Sequence, residues 1–368
     1  MQRGCFQLGP LVFSIEGNGP VFEAFFNELS VLPGSQEEPR IGFIFKEELA
    51  KPRALLKVGG WELGDHFVSA QRHGYDFAIQ TEGERWEVFL SPHKRNQVRG
   101  IRRKFKQTWD WNYLTPAETT AKNIMYNLFD LVTGAAMLPL GSSYLHASTA
   151  SKLGRGLAFV AWGGVGKTTS ILKLVRERQW KFLSDDLGLL SQDGTLYRTP
   201  KKLQIYAYNV EGEEGLRRDL LQGRGARDLV NWHWRMQRFG PKKVRRRVAA
   251  EEFLGPQQVG TTAVLDEVIF LERRELSQFQ WEDIDGQELA RRSAAILVDE
   301  LNTLFELAIV ADSHGVITGL GHFDELREYS RTIQAKAFER LKDTPRKLAI
   351  PVRATPEELL QELENRGK

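Results

Sequence analysis

The apolar positions fall into two regimes along the chain. Up to residue 113 they come in short runs: Leu11-Val12-Phe13-Ser14-Ile15, then residues 41–45, 54–58, 77–79 and 86–90. Gly, Asn and charged residues punctuate them. Short alternating runs with turn punctuation predict a β-rich module, and residues 21–29 predict one helix inside it. Thr115-Pro116-Ala117-Glu118 is a helix start, with an N-cap Thr, Pro at the first position and Glu at the third. Ile124, Leu128, Leu131 and Val132 continue it as an apolar stripe to about residue 137. Trp109, Trp111 and Tyr113 form an aromatic cluster just before it, expected to pack at a domain junction, with base or ligand stacking as the alternative.

Beyond this helix the pattern changes. Residues 143–149 predict a strand, and Leu157-Ala158-Phe159-Val160 predicts another. Gly163-Gly164-Val165-Gly166 comes next, and then Lys167, Thr168 and Thr169 open a helix with Ile171, Leu172, Leu174 and Val175 on one side. Phe182-Leu183 is a short strand ending in Asp185-Asp186. Residues 192–195 predict a hairpin turn. Residues 265–271 predict a buried strand, and Asp285-Gly286-Gln287-Glu288 caps a helix running through Leu289, Ile296, Leu301 and Phe305. A short strand at 347–352 and a helix capped by Thr355 close the chain. The expected organisation is an N-terminal domain over 1–115, a linking helix over 116–139 and an α/β domain over 140–368.

Composition narrows the class. Of 368 residues 41% are hydrophobic and 27% charged, an ordinary globular balance, and the net charge is only +3. One cysteine, Cys5, excludes a disulfide scaffold and fits a reducing, cytoplasmic setting. No apolar run of about 18 residues predicts a membrane span, and the N-terminus lacks the apolar core of a signal peptide.

The strand-loop-helix-strand unit carries the chemistry. Glycines let consecutive backbone N–H groups turn toward phosphate oxygens, and the helix after them aims its positive dipole end at the same anion. Lys167 supplies a point charge for the outer phosphates, and the Thr168 hydroxyl suits Mg²⁺. A strand-end Asp can hold that metal. The first position of the usual G-x-x-x-x-G-K-[ST] pattern is Ala161 here, not Gly. Arg198 and Lys201 are expected near Asp186, where a cation stabilises a transferred phosphoryl group. Residues 211–253 read as an irregular, strongly basic insertion, with many cations between Arg217 and Arg247 and with Trp232 and Trp234 interleaved. Such a segment suits a lid over an acidic substrate, a plain insertion, or single-stranded nucleic acid.

His146, the apolar strand, the Gly-Gly-Val-Gly-Lys-Thr loop, its helix and Ser184-Asp185-Asp186 resemble the C-terminal domain of HPr kinase/phosphorylase and its relatives, which share a core with phosphoenolpyruvate carboxykinase. The resemblance covers about residues 146–196. It implies an ATP- and Mg²⁺-dependent kinase acting on a hydroxyl. Asp185 would be the general base, Asp186 would join Thr168 at the metal, and His146 would lie against the acidic pair. The chain lacks the Glu-x-Arg-Gly-Leu-Gly segment of the HPr-modifying enzymes. It looks more like divergent relatives, some of which phosphorylate a serine, free or in a small peptide. The alternative expectation is an ATP-gated protein that grips nucleic acid or a partner through residues 217–247. A homo-oligomer is compatible with either.

Overall fold

The computed structural model describes residues 1–49, 54–72, 74–93, 114–212, 214–316 and 321–365. Trp109, Trp111 and Tyr113 lie outside the described residues. The architecture is mixed α/β.

A first sheet is built from β1 (Gln2–Leu8), β2 (Leu11–Gly17), β3 (Ile41–Phe45), β4 (Leu56–Val58), β5 (Trp61–Gly64), β6 (Phe67–Arg72), β7 (Tyr75–Glu82) and β8 (Arg85–Pro92), in the order β1-β2-β3-β8-β7-β6-β5-β4. The helix Pro20–Leu29 covers one face. Phe13, Phe25 and Phe43 pack there against Phe129 of the next helical segment, with ring centroids 5.3–6.2 Å apart. The buried residues of this sheet are continuous with those of residues 121–138 and 297–333.

That helical segment starts as its sequence dictates. Thr115 Oγ1 accepts from the Glu118 N–H at 3.2 Å, and Glu118 Oε2 accepts from the Thr115 N–H at 2.6 Å. The helix Pro116–Ile124 passes through a π-turn, Met125–Phe129, into the helix Asp130–Met137. A π-turn inserts a residue and rotates the turns C-terminal to it, a device found often at functional sites.

The second sheet contains β9 (Ser142–Leu145), β10 (Ala147–Lys152), β11 (Arg155–Val160), β12 (Lys181–Ser184), β13 (Gly188–Ser191), β14 (Thr195–Tyr197), β17 (Thr262–Arg274), β18 (Gln280–Asp283) and β19 (Arg346–Pro351). Its main path runs β12-β10-β11-β17-β14-β13-β9, with β19 parallel to β17 and antiparallel to β18. β11 and β17 are parallel and central. Alternate residues of β11 enter different cores: Leu157 and Phe159 face the helix Lys167–Arg178, while Ala158 and Val160 face the helices Gly286–Glu300 and Phe323–Phe338. With helices on both faces, the loop after β11 emerges at one end of the sheet. No helix among the described residues is long and apolar enough to cross a membrane.

Three expectations need correction. Residues 143–149 are two strands, not one: β9 pairs with β13, whereas β10 pairs with β11 and β12. His146 is the residue between them. The helix expected from 285 through 305 breaks at Leu301, whose φ of −101° and ψ of 32° leave helical space, and resumes as Asn302–Ser313. Asp285 does cap the first of these, accepting from Gln287 and Glu288 N–H groups at 3.0 and 3.1 Å. The described part of residues 211–253 is regular. It holds the helices Glu214–Leu221 and Ala226–Phe239 and the strand β16 (Arg245–Val248), which pairs with β15 (Leu203–Tyr206).

Candidate active site

The loop between β11 and the helix Lys167–Arg178 has Gly164 at φ 78° and Gly166 at φ 124°, values that side chains other than Gly rarely adopt. A Cβ built at Gly163 or Gly164 meets nothing within 4 Å, so the space above the loop is open. The loop is tied down from below by Arg273 at the end of β17. Its guanidinium donates to Val165 O at 3.3 Å and to the carbonyls of Pro351, Val352 and Ala354 at 2.9–3.1 Å.

Lys167 opens the helix and folds back over the loop. Its Nζ donates to Ala161 O at 2.6 Å and Trp162 O at 3.0 Å, and lies 2.8 Å from His146 Nε2. Burial pushes its ammonium below the ordinary lysine value. Burial likewise lowers His146, to about 3, with the Lys167 charge adding to the effect. His146 is therefore neutral near pH 7, and Nε2 accepts from Lys167. Nδ1 is buried and 3.5 Å from Glu300 Oε1, too far for a good hydrogen bond.

The two aspartates have separate environments. Asp185 Oδ1 accepts from Ser148 Oγ at 2.5 Å, and its carboxylate accepts from Thr168 Oγ1 at 2.9 and 3.1 Å. Burial raises its pKa, and the neighbouring Asp186 charge raises it further. Asp186 has φ 74°, and the Leu187 N–H donates to Asp185 O at 2.9 Å, closing a tight turn around it. A non-glycine residue held there stores backbone strain of a kind that clusters at functional sites. Burial alone would raise Asp186, but Lys201 above all, with other neighbours including Lys167 and Arg245, brings it below its ordinary value. Adjacent carboxylates pushed in opposite directions can take different roles in proton chemistry.

Lys201 is buried, 2.9 Å from Asp130 Oδ2 and 3.8 Å from Asp186 Oδ2, and lies 4.5 Å over the Tyr126 ring. Burial opposes its charge, yet the two carboxylates hold its pKa above the ordinary value. It is thus a fixed cation beside Asp186. Arg198 goes elsewhere, to an ion pair with Glu251. The expectation that it faces Asp186 fails because a closer carboxylate takes it.

The structure brings Gly163, Gly164, Val165, Gly166, Lys167, Thr168, His146, Asp185, Asp186 and Lys201 to this end of the sheet. Thr169 is turned aside, its Oγ1 accepting from Asn209 Nδ2 at 2.7 Å. Thr168 engages Asp185, whereas the resemblance implies Asp186 as its companion at a metal. Glu300, at the end of the helix Gly286–Glu300, was not foreseen. With His146 and Asp186 it forms a cluster whose ligand atoms lie within 4.8 Å of one another, a donor set able to hold a cation. Ser148 and Asp130 were missed as well. The signal for Asp130 was a lone carboxylate between Phe129 and Leu131 in an apolar helix. Ser148 lies two residues beyond His146.

Three arginines of the basic segment are paired with carboxylates. Arg246 Nη2 bonds Asp228 at 2.5 Å, Arg224 also reaches Asp228, and Arg247 makes two 2.9 Å bonds to buried Glu28. Trp232 is buried under the Arg246 guanidinium, 4.9 Å from it. These side chains form a core rather than a free nucleic-acid surface.

No family model and no curated protein matches the chain. Among solved structures it aligns with the Hpr(Ser) kinase/phosphatase from Coxiella burnetii over 61% of this chain and 96% of that one, at 12% identity and a TM-score of 0.28. A likeness that distant carries no functional inference, so function must be argued from the residues themselves.

Proposed function

We propose that the chain is a kinase that uses ATP and Mg²⁺ to phosphorylate a hydroxyl. The observation that carries this is the convergence of Lys167, Thr168, Asp185 and Asp186 beside an open glycine loop. The donor set suits a triphosphate with its metal. The loop amides and the helix N-terminus would face a bound anion, Lys167 brings a cation, and a hydroxyl and a carboxylate in mutual contact suit Mg²⁺. Bound there, Mg²⁺ supplies charge neutralisation on the phosphates.

The geometry supports exchanging the roles first expected for the two aspartates. Thr168 and Asp185 are hydrogen-bonded and belong together on the metal side. Asp186, kept ionised by Lys201, is the better general base. It takes the proton from the acceptor hydroxyl as that oxygen bonds to the γ-phosphorus and the bond to the ADP oxygen breaks. Lys201 remains beside Asp186 as charge moves, and positioned charge of this kind is the main source of rate in such transfers. His146 stays neutral and orients Lys167. The alternative of a nucleotide-gated nucleic-acid binder would have to use the segment's other cations, because Arg224, Arg246 and Arg247 are paired with carboxylates.

The test is incubation with γ-labelled ATP, Mg²⁺ and a panel of serine, small peptides, lysate protein and RNA. Label should move to a hydroxyl-bearing acceptor and stay on ATP with Lys167→Ala. No transfer to any acceptor, together with no ATP affinity, contradicts the proposal.

A further inference from the structure

Arg245, whose charge reaches Asp186, and Lys122 next to it are in no close ion pair among the described residues. Arg246, Arg247 and Lys201 each meet a carboxylate, at 2.5–2.9 Å. Lys122 and Arg245, both half-buried, form no ion pair with any carboxylate among the described residues. Their placement is dictated by the fold. Arg245 and Arg247 are two apart on β16 and share a face. The Arg247 guanidinium lies 5.3 Å over the Tyr126 ring, which brings that face against the helical segment, and Lys122 is one turn before Tyr126. Lys122 therefore comes beside Arg245. Burial lowers the Lys122 ammonium, and the charges of Arg245 and Arg247 lower it further, with Glu28 opposing.

Arg245 is held in place. It is in register with Tyr206, donates from Nη1 to Tyr206 Oη at 2.7 Å and stacks 5.4 Å over that ring. Tyr206 in turn stacks on exposed Tyr208, with centroids 5.4 Å apart and planes at 20°. Asn209 accepts from the Tyr206 N–H at 2.8 Å and donates to Thr169 at 2.7 Å, so this aromatic platform is fixed to the helix after the glycine loop. Two like charges in a partly desolvated setting repel, and a bound anion relieves both at once.

We propose that Lys122 and Arg245, rimmed by Tyr206 and Tyr208, form an anion subsite that seats a carboxylate or phosphate of the acceptor while its hydroxyl faces Asp186. That the anion is the acceptor rests on the kinase reading; the anion binding itself does not.

The experiment is calorimetric titration of the full chain, in the presence of a non-hydrolysable ATP analogue and Mg²⁺, with glycerate, glycerol 3-phosphate and the neutral glyceramide. Both anions should bind and glyceramide should not, and the tighter of the two separates carboxylate from phosphate. Lys122→Gln removes no side-chain hydrogen bond among the described residues and should keep the fold. It and Arg245→Gln should each weaken anion binding about tenfold, the loss expected for one charged contact. Arg245→Lys should restore part of it. Wild-type affinity in both Gln variants, glyceramide binding as well as glycerate, or no anion binding at all overturns the subsite. The same compounds are then offered with γ-labelled ATP. Variant-sensitive anion binding without any phosphorylation leaves the subsite standing and removes the kinase reading. Equal phosphorylation of glyceramide and glycerate does the reverse.

Discussion

Around the glycine loop, the charged side chains find partners close along the chain. Lys167 bonds to carbonyls five and six positions back, and Thr168 meets Asp185 17 positions on. In residues 211–253 local and very long-range partners are mixed. Arg247 reaches Glu28 across 219 positions, and Arg246 folds back to Asp228 over Trp232. The first region gathers its buried groups beneath an open glycine loop, whereas in the second Arg247 ties β16 to the helix Pro20–Leu29. Charge density along a sequence therefore says little about function until the partner of each charge is known. A glycine loop leading into Lys and Thr says a good deal, because its geometry is local.

Four experiments probe that contrast. Asp186→Asn should reduce phosphoryl transfer on the order of 10²–10⁴-fold, the usual share of a general base, while ATP still binds. Retained transfer would move the base elsewhere. Arg247→Met should lower stability by about 3–5 kcal/mol, because it strands the Glu28 carboxylate in the core. Pairing it with Glu28→Leu should recover much of the loss in thermal unfolding. If the single change is harmless, this segment is not an internal brace. Arg238→Ala, at an exposed position of the helix Ala226–Phe239, should shift stability by no more than about 0.5 kcal/mol and leave RNA binding unchanged. A steep salt-dependent affinity for RNA that this change reduces would restore the nucleic-acid reading.

The smallest effect concerns pairs local to one helix. Glu288 bonds Arg291 and Arg292, and these hydrogen bonds lower its carboxyl from 4.5 to about 2. A depressed folded value gives stability that is present above pH 4.5 and is lost as pH falls toward 2. Because the carboxylate is solvent-screened, the effect is slight. Glu288→Gln should flatten a small part of the acid limb of the unfolding curve; an unchanged limb would show that these pairs contribute nothing.

Legibility in the sequence divides along the same line. The caps at Thr115 and Thr355, the helix after Gly166, and the strands β2, β3, β8 and β11 are set by neighbours within a few residues, and all were legible. The break at His146 was not, since residues 143–149 contain no Gly or Pro to mark it and only pairing with two different neighbours splits them. Nor was the break at Leu301, where the apolar stripe continues past the kink. In the site, Lys167, Thr168, Asp185 and Asp186 could be named from spacing alone. Glu300 could not, because Val298-Asp299-Glu300 looks like any charged helix end. Arg198 misled because its partner, Glu251, lies in a segment whose fold the sequence hid.

The most direct test of the central claim is calorimetric titration of ATP into the wild-type chain and into Lys167→Ala, with and without Mg²⁺. One saturable site, tightened by Mg²⁺ and lost in the variant, is the predicted result. Equal affinity in both chains, or no binding in either, contradicts it.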